Sequence, residues 1–241
     1  MSANAFFEVI TRMKKVLSYF SAFEIALWAF SVLLITLAFF LFDGEGYFSF
    51  ISSLIGVTSL IFYAKGNLIG HVIGIVFCIL YAMISYSFAY YGELLTFVLM
   101  NLPMSITALV SWSKNPYKKG KIEVKIRDIS KKEALLMIIP TLMITAIFYF
   151  ILKYFGTANL LPSTISVATS FAAVYLSYRR SPYYAIAYAA NDLVLAVLWI
   201  LASLVDRRYI SVLVCFIAFF FNDIYGFINW KRMKKRQDAG E

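Results

Sequence analysis

Long apolar runs separated by short polar stretches recur along the chain, covering roughly 22–42, 47–64, 67–88, 94–112, 134–154, 160–178, 182–203 and 209–230. Each is near the ~20 residues that a helix rising about 1.5 Å per residue needs to cross a ~30 Å hydrocarbon layer. Only closed backbone hydrogen bonding is tolerated in lipid, so the pattern predicts eight transmembrane helices and an all-α integral membrane fold. Ahead of the first run, Glu8, Arg12, Lys14 and Lys15 break any continuous apolar stretch, which predicts a cytoplasmic amphipathic lead-in rather than a cleavable signal. Ser113 to Glu133, rich in lysine, is the only extended hydrophilic stretch and reads as a solvated loop, too short to be a catalytic domain.

The pattern repeats. Sliding the chain by 118 residues lays Pro103–Trp112 over Phe221–Trp230, each closing on a Trp ahead of basic residues. A slide of 115 places Tyr63-Ala-Lys65 on Tyr178-Arg-Arg180 and Phe77 opposite Asp192. Runs two to four and six to eight therefore form two three-helix repeats joined by run five, with run one outside them and peripheral. The linking crossing makes the repeats parallel, an arrangement that puts a substrate near the membrane midplane between them. The implied segments are 1–43, the lead-in and peripheral helix; 44–112, the first repeat; 113–158, the basic loop and linking helix; 159–230, the second repeat; and 231–241, a basic tail.

Charge fixes an orientation. The net charge of +9 would suit nucleic acid, but the basic residues sit at the ends of apolar runs. With the N-terminus inside, nineteen Lys and Arg fall on the inner side and only Lys153, Arg207 and Arg208 on the outer, so both termini are expected in the cytoplasm. Cys78 and Cys215 lie inside apolar runs and read as packing residues, not as a disulfide or metal framework. Nothing calls for a cofactor or a nucleic-acid partner.

Against this background the polar residues inside runs carry the chemistry. Asp192 lies near mid-membrane, where an ionisable group is costly and is by default a functional candidate. At helical spacing Tyr188, Asp192 and Trp199 share one face, with Asn191 adjacent, which outlines a polar ligand site with aromatic walls. Asn222-Asp223 is a second polar pair, on the cytoplasmic side of the midplane, followed by Tyr225 and Gly226. In run four, Asn101 precedes Pro103, which removes one helical hydrogen bond and predicts either a hinge or a kink lining the site. His71, flanked by Gly70 and Gly74, reads as a hydrogen-bonded packing residue, and the two glycines as a helix contact. Glu24 and Glu93, near run ends, read as solvated, and Trp112 as an interfacial anchor.

Some chemistry is excluded. No Walker-type phosphate loop is present, so ATP drive is not indicated, and no Lys or Arg falls in the middle of runs six to eight to meet a doubly charged phosphate. The two acids come from different depths without a nucleophile or metal set, which argues for a carrier of small molecules rather than an enzyme.

The Tyr188/Asp192/Trp199 face and the closing stretch Asn222-Asp223-Ile-Tyr225-Gly226-Phe-Ile-Asn-Trp230 resemble the PnuC family of bacterial vitamin transporters. In the first repeat the resemblance extends to Pro103-Met-Ser105, Ala108 and Trp112. It implies a three-plus-one-plus-three helix arrangement like that of SWEET sugar transporters, a homotrimer, and residence in the bacterial inner membrane. It also implies uptake of nicotinamide riboside, a vitamin B3 form used in NAD biosynthesis, by facilitated diffusion, with phosphorylation by a cytoplasmic kinase drawing the product inward. Relatives carry thiamine, riboflavin or deoxynucleosides. The substrate contacts carried over are Tyr188, Asn191, Asp192, Trp199, Asn222, Asp223, Tyr225, Ser105 and Asn101. The chain departs from the family pattern with Asp for Asn at 192 and 223, Ser105 for Gln and Phe77 for Asn. Two acids suit a cationic or hydroxyl-rich ligand.

Overall fold

The computed structural model describes residues 18–87, 90–120 and 122–240, so the expected lead-in lies outside the described residues. Among these residues, eight helices are long and apolar enough to cross a membrane: α1 Ala22–Asp43, α2 Tyr47–Ala64, α3 Leu68–Ser87, α4 Tyr91–Ser113, α5 Lys131–Tyr154, α6 Leu160–Tyr178, α7 Tyr183–Ser203 and α8 Arg207–Asp238. Their starts follow from local chemistry. Ser21 and Glu24 close a capping box on α1, Ser130 accepts from the Glu133 N–H at the head of α5, and Asp206 accepts from the Arg208 N–H ahead of α8. Hydrogen bonds from Arg208 also hold the half-buried Asp206 carboxyl below its ordinary range.

α2 packs on α3 and α3 on α4; α6 packs on α7 and α7 on α8. The two sets meet where α2 lies against α8 and α4 against α6. Serines on α2 and α6, among them Ser52, Ser59, Ser163, Ser166 and Ser170, are buried and let these helices approach closely. The crossing of α3 over α2 depends on two glycines. A Cβ at Gly70 would come within 2.8 Å of the Tyr63 backbone nitrogen, and one at Gly74 within 2.4 Å of the Tyr63 hydroxyl. α1 and α5 are peripheral: 22% and 11% of their apolar windows are buried, against 44% for α2 and 50% for α7. The remaining surface of α5, with Leu135, Leu142, Met143 and Phe150 exposed, is suited to lipid.

The basic loop is not simply solvated. Val124 and Ile126 are buried, and its backbone is tied to the bundle by Val124 N–H to Gly66 O (3.0 Å), Arg127 N–H to Arg180 O (3.0 Å) and Ile126 N–H to the Gln237 side chain (2.9 Å). Alternating apolar residues within the lysines supply this inward face. Glu24 and Glu93 also differ from expectation, each being 2% exposed. Glu24 accepts from Lys65 (3.3 Å) and from the Tyr225 hydroxyl (2.9 Å), and Glu93 accepts from Ser166 (2.9 Å). Position near a helix end implies solvent only where no neighbouring helix covers that end; here α8 covers Glu24 and α6 covers Glu93.

Candidate functional site

α2, α3, α4, α7 and α8 enclose a central cavity with about 80 Å³ of room for water-molecule centres. α7 contributes Tyr184, Tyr188 and Asp192, four positions apart and so on one face, with Asn191 at its edge. α8 contributes Phe216, Phe219 and Asp223 at the same kind of spacing, and α2 and α3 add Ser59, Tyr63 and Phe77. α4 enters through a wide turn: Phe97–Asn101 is a π-helical segment immediately before Pro103. Proline cannot donate to the carbonyl one turn back, and the local widening turns Asn101 and Ser105 into the cavity. The kink therefore lines the site.

The two polar pairs are divided by helix geometry. Asn191 is anchored to α6 by the Thr169 and Ser170 hydroxyls, 2.8 and 3.0 Å from its Oδ1. Asp192 and Asp223 line the same cavity, and among the described residues Asp192 Oδ2 has no hydrogen-bond partner. Asn101 Oδ1 is likewise buried without a partner. Both acids and Asn101 are 5% exposed. Among the described residues, no Lys or Arg lines the cavity.

Asp192 and Asp223 line one cavity, although a count of residues from the membrane surfaces sets them at different depths. α7 begins at the basic end of the bundle and α8 at the opposite end, and every Cα–Cβ bond tilts toward its own helix N-terminus. The two side chains therefore lean toward each other from opposite directions.

Other expected site residues lie outside the cavity. Asn222 donates to Ser31 Oγ (2.9 Å) and Tyr225 to Glu24, so both face α1; they are three residues apart and share the helix face that Asp223 does not. Trp199 has the right face and the wrong depth. It is 1% exposed and donates to the Tyr81 hydroxyl (3.0 Å), and with Tyr90 and Tyr209 forms a roof over the end away from the basic loop.

The basic end is shut by a pair of tryptophans. Trp112 and Trp230 have ring centroids 5.1 Å apart; Trp112 donates to Ser177 O and Trp230 to Tyr63 O, each at 2.8 Å. Trp112 is 1% exposed, which corrects its reading as an interfacial anchor: the helix end that carries it is covered by α6 and the loop. His71 lies within this floor, its Nδ1 3.2 Å from the Tyr63 hydroxyl and its ring edge-on to Trp112, and does not line the cavity. Sequence reasoning missed Tyr63, Tyr184, Phe216 and Phe219. For Tyr184, Phe216 and Phe219 a usable signal existed, since each continues the helical face of Asp192 or Asp223.

Comparison with known proteins adds an independent finding. Residues 46–232 match the family described as nicotinamide mononucleotide transporter. The chain is 25% identical over 220 residues to the nicotinamide riboside transporter PnuC of Neisseria mucosa, covering 89% of this chain and 83% of that one. It is 21% identical over 193 residues to the nicotinamide riboside transporter PnuC of Haemophilus influenzae, covering 80% and 82%. Its fold matches the crystal structure of the vitamin B3 transporter PnuC with a TM-score of 0.80 at 21% identity, covering 90% of this chain and 94% of that one.

Proposed function

The chain belongs to the nicotinamide mononucleotide transporter family, and from that premise we propose that it carries nicotinamide riboside across the membrane by facilitated diffusion. The observation that carries the choice of ligand is the cavity's charge: among the described residues it holds two carboxyl groups and no basic side chain, so a phosphate would meet acids and find no partner there. A pyridinium ring and ribose suit the same walls, the ring stacking on Tyr184, Tyr188 or Phe77 and the hydroxyls bonding Asn101, Ser105, Asn191 and the acids. Trp199, Asn222 and Tyr225 support the site from behind. The cavity is narrower than such a ligand, so loading requires the Trp112/Trp230 floor or the Trp199 roof to part. Phosphorylation of the product inside the cell keeps the inward gradient steep.

The same reading includes two parallel repeats, α2–α4 and α6–α8, linked by α5 in a SWEET-like three-plus-one-plus-three order. It is supported by the reciprocal packing of α2 on α8 and α4 on α6, and by closing tryptophans that each bond a carbonyl of the other repeat. The segment limits given above for the repeats, a homotrimeric assembly in the bacterial inner membrane, and cytoplasmic termini complete it. Thiamine is a second candidate, because it too is an aromatic cation. Calorimetric titration of the purified protein with nicotinamide riboside, its mononucleotide and thiamine tests the reading. Saturable binding of the riboside and at least hundredfold weaker binding of the mononucleotide are expected; equal binding of the two would contradict the charge argument.

A further inference from the structure

Beneath the tryptophan floor runs Glu123-Val124-Lys125-Ile126-Arg127, in which polar and apolar residues alternate. A period of two belongs to extended backbone, and burial follows it: Val124 is 1% and Ile126 7% exposed, while Lys125 and Arg127 face solvent. The two buried side chains join the apolar cluster of Trp112, Trp230, Tyr63 and Tyr184, so the stretch underlies the floor. It is tied to both three-helix sets. On one side the Val124 N–H donates to Gly66 O (3.0 Å) in the α2–α3 turn. Gly66 has a φ of 62°, and a Cβ there would lie 3.0 Å from Met233 Cε and 3.4 Å from Val124 Cγ1, so glycine lets the turn meet the stretch. On the other side the Arg127 N–H donates to Arg180 O (3.0 Å) in the α6–α7 turn. The end of α8 adds three side chains. Gln237 accepts from the Ile126 N–H (2.9 Å) and donates to Val124 O (3.0 Å) and the Glu123 carboxylate (2.7 Å). Arg236 pairs with Glu123 (2.6 Å) and Lys234 with Asp128 (3.0 Å).

These ties cross the line along which the floor parts. Trp112 on α4 bonds α6 and Trp230 on α8 bonds α2, so opening draws the basic ends of the two sets away from each other. Extended backbone from Val124 to Arg127 spans about 11 Å at most, so Gly66 and Arg180 cannot move apart beyond that while both bonds hold. We propose that Glu123–Arg127 is a strap that holds the carrier closed at its basic end, and that the floor opens when the end of α8 releases it. The strap stays with the first set, where its hold is backbone pairing of Glu123 with Asn67 and of Val124 with Pro116 around a buried side chain. Its hold on the second set is one backbone bond and a group of side chains at the surface, with Arg236 44% exposed. Such exposed ion pairs contribute little and give way first. This inference rests on the carrier reading above and gives that carrier the latch of one gate.

The test uses the full chain with Cys215→Ala in sealed membrane vesicles of each orientation, where Cys78 in the cavity is the remaining thiol. A membrane-impermeant cationic thiol reagent is added from the side of the basic loop or from the opposite side. Gln237→Ala removes three bonds to the strap and is expected to speed labelling from the basic-loop side by at least about fivefold, the fold-change of one hydrogen bond. Labelling from the opposite side stays unchanged or slows. Glu123→Gln, which loses the ion pair with Arg236 but keeps its size, gives a smaller acceleration from the same side. Lys235→Ala, at an exposed neighbour on α8, gives none. Labelling unaltered in both strap variants overturns the strap, and so does equal acceleration from the two sides, which is general loosening. Glu123→Gln decides by itself should Gln237→Ala fail to fold. The labelling needs no ligand, so counterflow of labelled riboside in the same vesicles judges the carrier separately. Counterflow with unaltered labelling overturns the strap alone; one-sided acceleration without counterflow by folded wild type overturns the carrier reading and leaves the strap standing.

Discussion

One residue step along a helix turns a side chain by about 100°, and on α8 that step separates two functions. Asp223 enters the cavity, whereas Asn222 bonds Ser31 on α1. Asn222→Ala is therefore expected to lower stability by about 1 kcal/mol while leaving the ligand Kd within about twofold. Asp223→Ala should instead abolish cation binding in protein that still melts cooperatively. Equal loss of affinity in the two variants, measured by calorimetry beside thermal melts, would contradict this division. The face bearing Asp192 was legible from helical spacing; the division of Asp223 from Asn222 and Tyr225 was not, because it depends on which neighbour each side chain meets. That Asp192 and Asp223 line one cavity was also hidden, because a count of residues from each membrane surface ignores the opposite lean of side chains on antiparallel helices. Depth likewise hid the place of Trp199, which shares the face of Asp192 but lies about 10 Å further along the axis.

At the scale of the element, α4 owes its shape to Pro103. Replacing Pro103 with Ala restores the missing donor and favours a regular helix through Phe97–Asn101, which rotates Asn101 away from the ligand. A loss of about 1 kcal/mol, roughly fivefold in Kd, is expected, comparable to one hydrogen bond. An unchanged Kd would show that Asn101 does not touch the ligand. The proline's presence in the sequence signalled a kink but not its direction, since that depends on which neighbours satisfy the freed carbonyl. The floor is open to a direct probe because Cys78 lines the cavity and is 9% exposed. In a Cys215→Ala background, Trp112→Phe should accelerate reaction of Cys78 with a thiol reagent by loosening the Ser177 contact, and nicotinamide riboside should slow it. Labelling indifferent to both would mean that the floor is not a gate.

For the whole molecule, eight apolar runs and their order were legible because lipid imposes a length and a closed backbone on each crossing. Burial of Trp112, Glu24 and Glu93 was not, since it depends on which helix end a neighbour or a loop covers. On the nineteen-to-three distribution of Lys and Arg, the orientation we propose has the loop holding Lys118 in the cytoplasm and Gly156 outside. Cysteines introduced at these two positions should label from inside and outside respectively; the reverse would invert the topology.

The central claim, a carrier selective for the riboside over its phosphorylated form, is tested most directly by counterflow in proteoliposomes. Vesicles containing the purified chain are preloaded with unlabelled nicotinamide riboside and diluted into a trace of labelled riboside, with no ion gradient or ATP. Transient accumulation of label is expected, abolished by excess external riboside and unaffected by the same concentration of mononucleotide. Competition by the mononucleotide equal to that by the riboside, or no counterflow from protein shown to be folded, would contradict the claim.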